Sequence, residues 1–380
     1  MTEILTPKRA HGAQAWRFAS SLSLARAPTV GSQLLAGANN FNALRFLAAS
    51  AVVFSHCYAL SGHLDAEPLA VISAGIIDIG TAAVMAFFVI SGFLITMSAQ
   101  SQPSLAHFVA ARLLRMWPGL LLTTLLVMFL VGPLLSDASL ADYFSSRENW
   151  RYMIYAPTLD VGVNLPGVFA NNPVPHSVNG SLWTIQVEVW LYAATAILMM
   201  LGVMRHAKLL SLVCFSAVLA FLLFHEQMLP WMVRQESVMM PRLIGCFLLG
   251  SLMYANAQRV PLSLPLGFAL LLATALSIWY FWFVWVLYMT FAYWVLLLAL
   301  HPRLLLYAPP IRADYSYGIY IFAFPIQQSV VSLFDVNDPI KLFLASYPII
   351  LVFAAMSWHG VESKALGLKR LFSAQRSEGV

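Results

Sequence analysis

Two residues in one apolar stretch carry chemistry that a greasy chain rarely tolerates. In NALRFLAASAVVFSHCY (residues 42–58), Arg45 and His56 stand eleven positions apart. Ionisable groups at membrane depth are costly and face a protein interior or a wet cavity. On a helix rising 1.5 Å per residue they lie about 16 Å apart, too far for a salt bridge. One group near a membrane face and another deep inside suit a long ligand lying along the helix. An imidazole held at that depth can take a proton in a transfer reaction.

Further ionisable residues fall into the same frame. Arg112 and Arg115, in FVAARLLRMWPG, share a helical face at the inner membrane boundary. They read either as snorkelling interface residues or, with Arg45, as a three-arginine cluster for a polyanion. Glu188, in GSLWTIQVEVWLYA, lies ~13 Å inside the outer end of its span. His56 lies ~21 Å above the inner face of a core about 30 Å thick, so the two depths are similar. Glu188 then reads as the orienter of His56 or as the partner of a buried arginine. Arg242, in MMPRLIGCFLLGSLMY, meets an acceptor near the outer end of its span or simply packs and snorkels. Ser91, Trp183 or a backbone N–H are candidates to stabilise an oxyanion. Cys57 beside His56 reads as a nucleophile or as a small buried apolar side chain. Cys57, Cys214 and Cys246 form neither a disulfide framework nor a metal-ligand spacing, and no metal site is expected. His176 has no obvious partner and reads as structural.

These residues must be positioned by membrane helices. The chain is 60% hydrophobic and only 10% charged over 380 residues, which leaves too little polar surface for a soluble domain of this size. The expectation is an all-α polytopic integral membrane protein with about ten transmembrane helices. They fall near 42–61, 79–98, 108–131, 180–201, 208–225, 239–256, 263–280, 282–300, 315–334 and 341–359. A porin-like barrel would alternate in short segments instead. With the N-terminus in the cytoplasm, thirteen Lys and Arg fall on the inner side and four on the outer. That asymmetry and the even span count place both termini in the cytoplasm.

Residues 1–40 are basic, lack an apolar h-region and read as a flexible cytoplasmic tail on anionic lipid. Residues 41–360 form the transmembrane domain, and 361–380 a second basic cytoplasmic tail. Residues 132–179 are expected as the longest non-helical segment. Gly80, Ser91 and Gly92 let helices approach closely. Asp314 and Ser316 fall at the inner boundary, and Pro325 within the ninth span frees a carbonyl and kinks the helix.

From Asn42 to His359 the chain resembles the membrane acyltransferase-3 family, whose members decorate bacterial polysaccharides and lipopolysaccharides. The likeness rests on LRFLAASAVVFSH, FFVISGFLIT, the RLLR pair before Pro118, SLWTIQVEVWLY, RLIGCFLLGSLMY and SYGIYIFAFPIQQ, in that order. It implies ten core helices, a cytoplasmic acyl-CoA donor, and transfer, commonly of acetyl, to a glycan hydroxyl at the outer side of the bacterial inner membrane. It implies His56 as catalytic base, Arg45, Arg112 and Arg115 as donor-binding groups, and Glu188 as the essential carboxylate. Many members carry a histidine just before the Phe/Tyr-Pro of the ninth-span motif. Here the segment reads Phe322-Ala323-Phe324-Pro325, so the chemistry should rest on His56. No permanently bound cofactor is expected. The expected partners are acyl-CoA, a glycan or lipid-linked oligosaccharide acceptor, the bilayer and polysaccharide-assembly machinery, without nucleic acid. The rival class is a transporter or flippase of a glycan-assembly system, which predicts a repeat symmetry not visible in the chain.

Overall fold

The computed structural model describes residues 27–102, 104–159, 165–232, 239–280, 283–306 and 313–372. Ten principal helices appear among them. They are α1 (Phe41–Leu60), α2 (Ile79–Ser101), α3 (Leu105–Leu126), α4 (Leu182–Met200) and α5 (Ala207–Met232), then α6 (Met239–Ala255), α7 (Leu264–Leu276), α8 (Phe283–Leu300), α9 (Ser316–Phe334) and α10 (Pro339–Ser357). Seven helical stretches are long and apolar enough to cross a membrane: α1, α2, α3 with its extension, α4, α8, α9, and α10 with its extension. Shorter apolar segments fall within α5, α6 and α7. No strand occurs among the described residues, where pairing is limited to two isolated bridges. The protein is an all-α polytopic membrane protein.

The chain divides into two compact units. The smaller holds residues up to Asn40 together with Asn256–Leu306. Within it a short helix, Val30–Ala36, is capped by Thr29 and tied to the 256–262 turn: Val30 N–H donates to the Val260 carbonyl at 3.0 Å and Gly31 N–H to that of Ala257 at 2.8 Å. Residues 27–40 are therefore folded rather than a flexible tail, because this turn satisfies their backbone; residues 1–26 lie outside the described residues.

The larger unit, Phe41–Ala255 with the chain from Tyr307 onward, carries every candidate site residue. Its hub is α9, buried along most of its length. Ile319 and Phe322 of α9 pack with Ala49 and Val53 of α1, Met116 and Leu120 of α3, Ile185 of α4, and Ile350 and Ala354 of α10. Pro325 has no N–H for the carbonyl of Ile321, four residues earlier. Asn179 supplies one, its Nδ2 donating at 3.0 Å. On the far side, α2 and α6 touch backbone to backbone. A Cβ at Gly92 would fall far inside contact distance of the Phe247 carbonyl oxygen, and one at Gly250 far inside that of Val89.

Two expectations are corrected here. The 132–179 region is partly helical, with Leu140–Ser145 and Arg147–Tyr155, and it builds its own small core around Tyr143, Tyr152, Leu165 and Phe169. Nor do residues 361–372 form a tail. After α10 the helix continues through a π turn, Trp358–Glu362, into Ser363–Gly367 and a last turn, Leu368–Phe372. Residues 373–380 lie outside the described residues.

Candidate active site

Two cavities open within the larger unit, at opposite ends of its helices. One, termed inner because the charge bias of the sequence expects that end to face the cytoplasm, lies where α1, α3 and α9 begin and α10 ends. It has a volume of about 210 Å³ and is lined by Arg45, Arg112, Arg115, Lys369, Glu188, Ser91, Tyr192, Asp314 and Trp358, among others. The outer one, about 620 Å³, lies where α1 ends and α2 and α4 begin. His56, Glu67, Asp78, Ser181, Trp183 and Met239 line it with neighbouring side chains.

Helical arithmetic explains the inner cluster. Arg112 and Arg115 sit in the second and third turns of α3, and Arg45 in the second turn of α1. Two of the three arginines are already engaged. Arg45 Nη1 and Arg115 Nη2 share Oδ2 of Asp314, at 2.9 and 2.6 Å. Arg115 Nη1 reaches Glu362 Oε2 at 3.0 Å. The π turn shifts the helix register there, so that Glu362 Oε1 also accepts from Ser357 Oγ at 2.6 Å. Burial pushes the Asp314 carboxyl up, but the guanidiniums of Arg45 and Arg115, helped by Ser316, outweigh it and hold it at about 2.

Arg112 has no carboxylate in contact among the described residues. Its Nε is buried without a hydrogen-bond partner, Nη2 makes one long bond of 3.4 Å to Ser98, and its guanidinium lies over the rings of Phe108 and Tyr192. Lys369 joins it from the turn that follows α10 and its extension. Burial, and then repulsion from Arg112 and Arg115, lowers its proton affinity below that of an ordinary lysine. A polyanion bound here would satisfy Arg112 and relieve that repulsion.

Deeper in the same cavity, Glu188 Oε1 accepts from Ser91 Oγ at 2.7 Å and from Tyr192 Oη at 2.5 Å. Of the two readings of Glu188, orienter of His56 or partner of a buried arginine, the structure places it with the arginines: it lines their cavity, while His56 lines the other. The carboxylate that shares the cavity of His56 and acts on it electrostatically is Asp78. Asp78 caps α2, accepting from Thr81 N–H at 2.7 Å and from Thr81 Oγ1 at 2.5 Å. Glu67 braces the loop above it, accepting from Ile79 N–H at 2.9 Å and Ala70 N–H at 2.7 Å. His56 Nδ1 is buried without a hydrogen-bond partner, and the ring of Phe324 packs edge-on against the imidazole at 5.6 Å.

The remaining candidates separate cleanly. Trp183 joins His56 in the outer cavity and Ser91 joins Glu188 in the inner one. Arg242 lines neither; it is half-buried on α6 and its Nη1 points at the Met239 sulfur, 4.0 Å away. Cys57 is fully buried, donating to the Val53 carbonyl at 3.3 Å and receiving Gln327 Nε2 at 2.9 Å, so it packs rather than faces a cavity. His176 is exposed in a left-handed turn with φ 61°. Among the described residues no group of His, Cys, Asp or Glu could hold a metal ion.

Three side chains, Val84, Thr184 and Tyr320, line both cavities. The helices of this unit thus hold a cationic cavity at one end and an imidazole-lined cavity at the other, with three side chains common to both. Residues 39–359 match the acyltransferase domain family, and the chain belongs to it. It is similar to the O-acetyl transferase of Shigella phage Sf6, with 29% identity over 349 residues that cover 86% of this chain and 96% of that protein. No solved structure matches.

Proposed function

We propose that this protein is a multi-pass O-acyltransferase of the bacterial cytoplasmic membrane. It moves an acyl group, most simply acetyl, from cytoplasmic acyl-CoA to a hydroxyl of a surface or exported glycan. The observation that carries this reading is the meeting of a cationic cavity and an imidazole-lined cavity at one shared wall. The O-acetyl transferase name of the phage relative supports the choice of an oxygen acceptor. The bias of Lys and Arg toward one side supports a cytoplasmic inner cavity, ten spans and two cytoplasmic termini.

Acyl-CoA carries its phosphates at one end and its thioester at the other. Arg112 and Lys369 meet the phosphates first, with Arg45 and Arg115 held in place behind them by Asp314 and Glu362. Arg45 and His56 are about 16 Å apart along α1, a distance the pantetheine arm bridges. His56 takes the acceptor's proton as the hydroxyl oxygen bonds to the thioester carbonyl carbon. The C–S bond then breaks, and the proton passes to the CoA thiolate. Asp78 supports the positive charge that forms on the imidazole. Glu188 shapes the donor end, fixing the Ser91 and Tyr192 hydroxyls and facing Arg45. The larger outer cavity suits a bulky sugar.

The test uses protein purified into nanodiscs with radiolabelled acetyl-CoA and a panel of bacterial glycans. Label entering a glycan with wild type but not with His56→Ala is the expected result. Label retained on the protein would indicate a covalent relay instead. If no acyl-CoA is bound or consumed, the reading fails.

A further inference from the structure

The two cavities are adjacent and share three lining side chains. The Thr184 and Tyr320 hydroxyls are hydrogen-bonded to each other at this boundary. Tyr320 Oη also donates to the Ser181 carbonyl at 3.2 Å, and its ring leans on Phe87 at 6.3 Å. Val84 of α2 is the third side chain common to both cavities, and it packs with Tyr320 against Ala48, Val52 and Ala83. A thioester that crosses this boundary toward His56 has to part that hydroxyl pair.

We propose that the Thr184–Tyr320 hydroxyl pair, together with Val84, is a throat that admits the acyl end of the donor, restricts it to short chains and keeps outer water from the thioester. This rests on the donor and acceptor assignment above. The three are positioning and specificity-determining residues. Water is the competing acceptor: its oxygen would bond to the carbonyl carbon, the C–S bond would break, and a carboxylic acid and free CoA thiol would leave. A closed throat suppresses that reaction until an acceptor sugar fills the outer cavity. The width left beside Val84 sets how many methylenes pass, since one methylene in an apolar slot discriminates by roughly 10–200-fold.

The experiment compares wild type, Val84→Ala, Thr184→Ala and Tyr320→Phe in nanodiscs, with acetyl-, propionyl- and butyryl-CoA, with and without acceptor glycan. Val84→Ala and Thr184→Ala should raise butyryl transfer relative to acetyl transfer by roughly tenfold or more. Tyr320→Phe keeps the ring and removes the hydroxyl bond. It should raise acceptor-free CoA release by roughly threefold to tenfold, the equivalent of one hydrogen bond. A merely structural role would move neither the chain-length ratio nor the ratio of hydrolysis to transfer. Unchanged ratios in variants that still transfer acetyl would overturn the proposal. Should Tyr320→Phe fail to fold, Val84→Ala, which only removes two methyl groups, still reads the chain-length ratio and decides the matter alone. A wild type that releases CoA from no donor would instead sink the donor assignment itself.

Discussion

Arg45 and Arg115, from different helices, grip the same carboxylate oxygen of Asp314, at 2.9 and 2.6 Å. The arginine cluster is thus not left to repel itself. Asp314 joins α1 and α3 to the start of α9, and Glu362 adds the end of α10. Removing one partner of a buried ion pair costs ~3–5 kcal/mol because the other charge stays buried. With the three side chains 26%, 13% and 14% exposed, Asp314→Asn should cost less, about 2 kcal/mol. The Asp314 carboxyl sits at about 2, below its unfolded value near 4. Its contribution is therefore present above pH ~4 and is lost as pH falls toward 2. The difference in thermal stability between wild type and Asp314→Asn should stay constant from pH 8 to 5 and close below pH 4.

Arg112, unlike Arg45 and Arg115, has no carboxylate in contact among the described residues. Arg112→Ala should weaken acetyl-CoA binding by roughly 1.5–3 kcal/mol, the range for hydrogen bonds to charged groups. Binding of acetyl-pantetheine, which lacks the phosphates, should hardly change. Equal losses for both ligands, measured by calorimetry, would place Arg112 away from the phosphates.

His56→Ala should reduce acyl transfer about a hundredfold to ten-thousandfold, the range for loss of a general base. Acetyl-CoA affinity should be retained, because His56 and the arginines line separate cavities. Loss of donor binding along with activity would contradict that separation.

Glu188→Gln leaves an oxygen for the Ser91 and Tyr192 hydroxyls and removes the charge facing Arg45. Transfer should fall roughly tenfold, as ~1–2 kcal/mol of charge-assisted bonding is lost. Those bonds exist in the folded protein before any ligand binds, so stability should fall by about 1–2 kcal/mol as well. An unchanged rate would reduce Glu188 to a packing role.

Gly250→Ala should destabilise the fold by about 1–3 kcal/mol, the usual cost of overpacking. The Val89 carbonyl oxygen stands far inside contact distance of the new Cβ, and neither backbone can turn aside as a side chain would. Thermal unfolding in detergent measures this directly, and an unaltered midpoint would show that α2 and α6 can separate freely.

Much of the site is legible in the chain, for reasons that also mark where that legibility ends. Helical rise gives depth, so Arg45, Arg112 and Arg115 gather at one end and His56 stands far from them. Rise does not give azimuth. Glu188 has a depth near that of His56 by residue count, yet its side chain turns into the arginine cavity while Thr184, one turn earlier on α4, borders both. Asp78 escapes notice because Asp-Ile-Gly-Thr before an apolar run is an ordinary helix cap. Its position near His56 depends on how the 61–78 loop folds back, which local pattern does not encode. Lys369 and Glu362 read as tail because the apolar run ends near His359. The signal lies in Glu362 itself, an acid among basic residues, one turn after a tryptophan.

Where Gly92 and Gly250 bring two backbones into touch, α2 and α6 have no cushion of side chains on which to slide. Mechanically the pair is a fixed jamb. Val84 hangs on it, and Tyr320 sits on α9, itself buried along most of its length, whereas Thr184 belongs to α4, whose span is far less buried. An incoming thioester would then act as a wedge that swings the α4 leaf alone. Spin labels on α4 should register each passage, while labels on α2 and α9 should stay still.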